Sequence, residues 1–121
     1  MPTTAERTVD PSGGPMVPRP YEVTGRREEI AGSTVTLTLR AVDEPIDPPR
    51  PGQFTMLWMP GIGEVPISLA GIDGDEIQHT IRAVGATTKA LCALRPGDQI
   101  GVRGPFGIGW DLDAARGHDL L

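Results

Sequence analysis

A chain of 121 residues has room for one domain and one modest core, and not for two nucleotide-binding domains side by side. Its formal net charge of -5 at pH 7 argues against general affinity for nucleic acid or an anionic membrane surface, both of which need a basic field. With Cys92 as the single cysteine, an internal disulfide and a four-cysteine zinc or iron-sulfur site within the chain are excluded.

No apolar run approaches the ~20 residues needed to span a bilayer, and the N-terminus lacks an apolar signal core. A cytoplasmic protein without a membrane span or a nucleic-acid partner is therefore expected. Sixteen glycines and thirteen prolines fall between short apolar runs, a punctuation that suits many short strands better than a helical bundle.

Residues 1–20 show no hydrophobic period and carry Pro2, Pro11, Pro15, Pro18 and Pro20 around Ser12-Gly13-Gly14, which predicts a flexible arm. From Tyr21 the pattern becomes β-rich. Tyr21 to Ile30 and Ser33 to Ala41 read as a hairpin, with Val35, Leu37 and Leu39 alternating against Thr34, Thr36, Thr38 and Arg40. Asp43 to Pro51 contains four prolines and is expected to be a surface connection. A third strand is predicted over Gly52 to Met59 and a fourth over Glu64 to Ala70.

After a turn around Asp73, Glu76 to Val84 alternates Ile77, His79, Ile81 and Ala83 with polar neighbours, giving a fifth strand. Thr88 to Leu94 is the one credible helix, stopped by Arg95-Pro96-Gly97, and Gln99 to Arg103 is the sixth strand. Six short antiparallel strands and one short helix predict an all-β fold, a six-stranded antiparallel Greek-key β-barrel whose closure removes exposed edges. The barrel domain is expected over residues 21–111. Residues 112–121 end on His118-Asp119-Leu120-Leu121, as though a buried strand had begun, so the chain is expected to be a piece of a longer polypeptide.

The chemistry is concentrated between Glu76 and Gly107. A strand that runs through Val84 and Gly85 into Thr87, Thr88 and a helix gathers free backbone N–H groups, hydroxyls and the positive helix end at one point, which suits a phosphate. Threonine is also a good N-cap, so capping and phosphate binding compete for the same donors. Lys89 in the first turn opposes the helix dipole and reads as an exposed residue.

Pro51-Gly52-Gln53-Phe54, Gly61-Ile62-Gly63-Glu64, Pro66-Ile67-Ser68, Val84-Gly85-Ala86-Thr87-Thr88 and Gly97-Asp98 through Gly104-Pro105-Phe106-Gly107 together resemble the flavin-binding barrel of the ferredoxin-NADP reductase superfamily. Within it, the likeness is to the electron-transfer subunits of bacterial dihydroorotate dehydrogenases and the gamma subunits of sulfhydrogenases. The resemblance implies FAD as cofactor, with Pro66, Ile67 and Ser68 along the flavin ring and Gly85, Thr87 and Thr88 on the diphosphate. The superfamily's usual arginine shortly before the serine is replaced by Val65. Arg82 is the substitute cation, with a solvated strand arginine as the equal alternative.

What the resemblance implies is a flavin module relaying electrons between NAD(P)H and iron-sulfur or other one-electron partners, alongside other subunits of a redox complex. NAD(P) and a [2Fe-2S] cluster would belong to sequence outside this chain, since neither a Gly-rich Rossmann turn nor the cysteines are present. No catalytic side chain and no metal ligand is expected. The alternatives are a small non-enzymatic interaction barrel and FMN in place of FAD. Cys92, Trp58 and Trp110 read as packing or rim residues, His79 as a hydrogen-bonded semi-core residue rather than a ligand, His118 lies in the tail, and Asp73 to Glu76 reads as a hairpin turn rather than a calcium loop.

Overall fold

A sheet with one apolar face ends in exposed edges unless it curls onto itself, and in the computed structural model, which describes residues 17–107, it does. The elements are β1 (Arg19–Ile30), β2 (Thr34–Ala41), β3 (Phe54–Met59), β4 (Gly63–Asp73), β5 (Glu76–Arg82), α1 (Ala86–Cys92) and β6 (Gln99–Phe106). All pairings are antiparallel, and the strands close in the order β1-β2-β5-β4-β3-β6. This is the all-β, six-stranded Greek-key barrel with one short helix that the sequence predicts.

The predicted inward phase of β2 and β5 is the observed one: Val35, Leu37, Leu39, Ile77 and Ile81 are buried in the core. Thr34 and Thr36, expected on the polar phase, are buried as well. Thr36 donates to the Glu29 carboxylate at 2.7 Å, leaving its oxygen to receive the Thr80 hydroxyl at 2.8 Å. Its burial is thus satisfied by side chains of the flanking strands.

Boundaries differ from the sequence expectation where local hydrogen bonds decide them. β1 begins at Arg19, inside the expected flexible arm, because Arg19 and Pro20 pair with Val102 and Gly101 of β6. The rest of that arm up to residue 16, and the tail from residue 108 with Trp110 and His118, lie outside the described residues. β3 begins at Phe54 rather than Gly52, since Gln53 is spent on fastening two loops. Its amide nitrogen donates to the Gly107 carbonyl at 2.7 Å, and its side-chain oxygen accepts from the Arg50 N–H at 2.8 Å.

β4 runs on to Asp73, so the hairpin tip is Gly74-Asp75. The helix covers Ala86 to Cys92 rather than Thr88 to Leu94, because Ala93 and Leu94 bond three residues back to Ala90 and Leu91 and close the last turn tightly. The proline-rich connection is on the surface, yet Ile46 within it is buried and donates its N–H to the Tyr21 hydroxyl at 3.0 Å. In the Pro96-Gly97-Asp98 turn, Gly97 takes a φ of 101°, and both Gly97 and Asp98 exchange backbone bonds with Val23. That exchange ties the helix exit to the barrel wall.

Candidate functional site

The barrel is not evenly closed. β4 pairs with β3 from Gly63 to Ser68, but with β5 only from Leu69 to Asp73, after a bulge between Leu69 and Gly71. Over Gly63 to Ser68 the margin of β4 that should face β5 has no strand partner. The Leu69 N–H donates to the carbonyl of Gln53, just before β3, which fixes the phase. By antiparallel alternation the backbone groups of Glu64 and Ser68 and the carbonyl of Pro66 then turn toward the side β5 has left.

The start of α1 enters that opening. A Cβ placed on Gly63 would lie 2.7 Å from the Thr87 hydroxyl, so the strand start and the helix start meet at this glycine, and a side chain here would require the threonine to turn aside. The turn is held from within by Thr88. Its buried hydroxyl accepts the N–H of Val84 at 3.0 Å and of Gly85 at 2.8 Å, and donates to the Gly85 carbonyl at 3.1 Å. Gly85 is the N-cap and has no side chain to return the bond, and the first intrahelical bond is Lys89 N–H to Gly85 carbonyl. The first-turn amides of Ala86, Thr87 and Thr88 therefore have no upstream carbonyl within the helix.

These contacts place the predicted residues individually. Thr87 is half-buried and makes no side-chain hydrogen bond among the described residues, so its hydroxyl is available at the opening. Thr88 is not: its hydroxyl is consumed by the cap, and of the two roles open in the sequence the structure displays capping. Val84 is 73% exposed, an unusual position for a valine beside a glycine turn. Ile67 is half-buried on the inward phase of β4 with Val65 and Leu69, packed partly against the core. Pro66 and Ser68 are exposed on the outer phase. Ile67 and Ser68 thus present opposite faces of the strand and share only its open margin. Arg82 is exposed at the last position of β5 and has no ion pair among the described residues.

One pair was not singled out from sequence. Arg103 of β6 grips Glu64 with two bonds, Nε to Oε2 at 2.7 Å and Nη2 to Oε1 at 3.1 Å, and its guanidinium lies 5.3 Å from the Phe106 ring centre. The Glu64 carboxylate raises the Arg103 pKa further. Phe106 in turn meets Phe54 with ring centres 5.5 Å apart. Glu64 and Arg103 lie on strands that are neighbours only through β3, so no local spacing announces the pair.

His79 is fully buried inside the barrel, with Nε2 2.7 Å from the Thr55 hydroxyl and Nδ1 without a partner. Burial lowers its pKa to about 4, so the ring is neutral at neutral pH. The sequence placed it on the apolar phase of β5, which holds, but gave no partner.

The remaining candidates are structural. The Cys92 thiol is buried, donates to the Ile81 carbonyl at 3.4 Å and has its pKa raised by burial, the setting of an inert thiol. Trp58 lines a recess of about 210 Å³ with residues of β1, β3 and β6 and none of β4, β5 or α1. Among the described residues no three His, Cys, Asp or Glu side chains are grouped to hold a metal, and no helix is long and apolar enough to cross a membrane.

Comparison with known proteins agrees with this architecture. No family model matches the chain. A probable dihydroorotate dehydrogenase B electron transfer subunit of Methanopyrus kandleri is 41% identical over 101 residues, covering 82% of this chain and 37% of that protein. The sulfhydrogenase 1 subunit gamma of Pyrococcus furiosus is 43% identical over 74 residues, covering 60% of this chain and 25% of that protein. The chain therefore spans well under half the length of these relatives.

Among solved structures, ferredoxin-NADP+ reductase of Plasmodium falciparum (an H286K mutant in complex with 2'P-AMP) superposes with a TM-score of 0.67 at 12% identity, covering 86% of this chain and 44% of that one. A flavohemoglobin of Malassezia yamatoensis with bound FAD and heme gives a TM-score of 0.66 at 14% identity, covering 75% and 25%. Residues 19–107 thus share the barrel fold of ferredoxin-NADP reductase, and the chain is similar in sequence to part of the dihydroorotate dehydrogenase B electron-transfer subunits and sulfhydrogenase gamma subunits.

Proposed function

We propose that this chain is the flavin-binding module of an oxidoreductase that relays electrons between NAD(P)H and iron-sulfur or other one-electron partners. The observation that carries this reading is the unpaired margin of β4 from Gly63 to Ser68, met by the start of α1 at Gly63 and Thr87. Backbone donors and acceptors left free at a strand margin, beside half-buried Val65 and Ile67, offer what a flat heteroaromatic ring requires: an apolar seat and a hydrogen-bonding edge. A flavin takes up a hydride as an electron pair and passes electrons singly, while the protein positions it and tunes its potential.

The chain's own residues divide the work of holding FAD. Pro66, Ile67 and Ser68 would line the ring, with Ile67 as apolar contact and Ser68 supplying its backbone at the margin and its hydroxyl from the outer side. Val84 and Gly85 would approach with backbone and exposed apolar surface. Thr87 and the first-turn amides would meet the diphosphate, Thr88 would hold the turn in shape, and Arg82 would supply positive charge. The relatives, an electron transfer subunit and a gamma subunit, support partners that are other subunits of a redox complex. NAD(P)H would be engaged by sequence outside this chain.

Titration of FAD into the purified chain tests the reading. Saturable quenching of FAD fluorescence at one site per chain is expected, and mass analysis of the cofactor released on denaturation separates FAD from FMN. Fluorescence unchanged through the titration would eliminate the flavin reading. It would favour the non-enzymatic barrel, for which the consumed Thr88 hydroxyl is the supporting observation.

A further inference from the structure

One buried side-chain hydrogen bond inside the barrel skips a strand. His79 is on β5 and Thr55 on β3, with β4 between them in the sheet, yet Nε2 and the threonine Oγ1 are 2.7 Å apart. Strands two places apart in a sheet are separated by about 9–10 Å, so the two side chains must reach toward each other across the interior beneath β4. The register says where. Thr55 is paired with Ile67 of β4, and His79 is paired with Leu69. The bond therefore runs under the segment Ile67 to Leu69, at the last β4–β5 pairing before the two strands part.

Both members are fully buried, and burying an imidazole and a hydroxyl in an apolar barrel is unfavourable unless each is paired. Apolar residues at both positions would supply core packing without that cost. The tautomer follows from the partners. With Nε2–H donating to Thr55, the partnerless Nδ1 is an unfilled lone pair; the opposite tautomer would strand a buried N–H donor, the costlier orphan. A directional bond between β5 and β3 constrains what packing alone leaves soft: how far β5 stands from β3 where β4 has lost its β5 partner.

We infer that His79 and Thr55 are positioning residues, a hydrogen-bonded strut under β4 that fixes the Ile67 to Leu69 segment at the mouth of the opening and so sets the seat for the ring. The inference deepens the flavin reading and rests on it for the ligand arm of its test.

The test uses four variants of the 121-residue chain: Thr55→Val, Thr55→Ser, His79→Leu, and the double His79→Leu/Thr55→Val, which removes both polar groups and leaves no orphan. Amide hydrogen exchange of residues 63–69 is followed in the free proteins, and the dissociation constant for FAD and the visible circular dichroism of the bound flavin are followed in titrations. Thr55→Ser is expected to match wild type. Thr55→Val and the folded double variant are expected to exchange faster at residues 63–69 than at β1 and β2, to bind FAD about tenfold more weakly and to shift the flavin dichroism.

A folded double variant with wild-type exchange over residues 63–69 and wild-type FAD affinity would overturn the strut. If wild type takes up no FAD, the flavin reading fails by itself, and the exchange of residues 63–69 still decides whether the strut positions β4.

Discussion

The two halves of the barrel wall treat the backbone differently. Across β1, β2 and β5, pairing runs from Tyr21↔Ala41 to Ile30↔Thr34 and from Thr34↔Arg82 to Arg40↔Glu76, so backbone donors and acceptors are consumed and both Leu37 and Leu39 are sealed. Across β4 and β5, pairing stops at Leu69, and the polar backbone beyond it is left beside a helix start. The first arrangement is what stability requires. The second gives up ladder bonds, and the gap is tolerable because it is at the surface, where the groups stay solvated or receive a ligand. Stability and binding are therefore separable here, residue by residue.

Truncation in the closed half should show the largest stability effect. Leu37→Ala removes a fully buried side chain and is expected to cost about 2–5 kcal/mol, measured by chemical denaturation. If the loss is under 1 kcal/mol, the wall is looser than its burial indicates.

Acid should act through the interior. The His79 pKa is lowered from 6.5 to about 4 by burial, so the unfolded chain binds more protons between these values. Its contribution to stability is fully present above pH 6.5, declines as pH falls and is lost through pH 4, a change of about 3 kcal/mol at most. Denaturation midpoints compared between pH 7 and pH 4.5 in wild type and His79→Leu check this, the variant losing less.

At the opening the effects on stability become small and those on binding remain. Thr88→Ala deletes the hydroxyl that receives two turn amides and is expected to cost about 1 kcal/mol and to weaken FAD binding, with Thr88→Ser restoring both. Gly63→Ala introduces a methyl 2.7 Å from the Thr87 hydroxyl, which a side-chain rotation can relieve. The denaturation midpoint should therefore scarcely move, while FAD affinity falls severalfold; equal affinity would separate Gly63 from the site. Arg82→Gln should leave stability within about 0.5 kcal/mol and reduce the salt dependence of FAD binding, read by titration at two ionic strengths. An unchanged salt dependence would return Arg82 to the role of a solvated strand residue.

Much of this was legible in the sequence because it depends on short-range rules. The alternation of Val35, Leu37 and Leu39 and of Ile77, His79 and Ile81 named the inner face, since successive strand residues face opposite sides whatever the partners. The Gly-Ala-Thr-Thr turn announced a helix start, because cap chemistry is local. What the same turn does with its threonines was not legible. Whether Thr88 caps or binds depends on where the Val84 and Gly85 amides point, and whether Thr87 is available depends on Gly63, which is 24 positions earlier in the chain.

By itself, then, the sequence determined the strand faces and the barrel class, through periods of two residues and motifs of a few. Only the tertiary structure decided where the barrel opens and which side chains meet across it: the parting of β4 from β5 at Leu69, the Glu64 grip of Arg103 and the His79 bond to Thr55. The two side-chain pairs join residues up to 39 positions apart on strands not adjacent in the sheet, and such partners are fixed by closure, register and bulges rather than by any pattern within a strand.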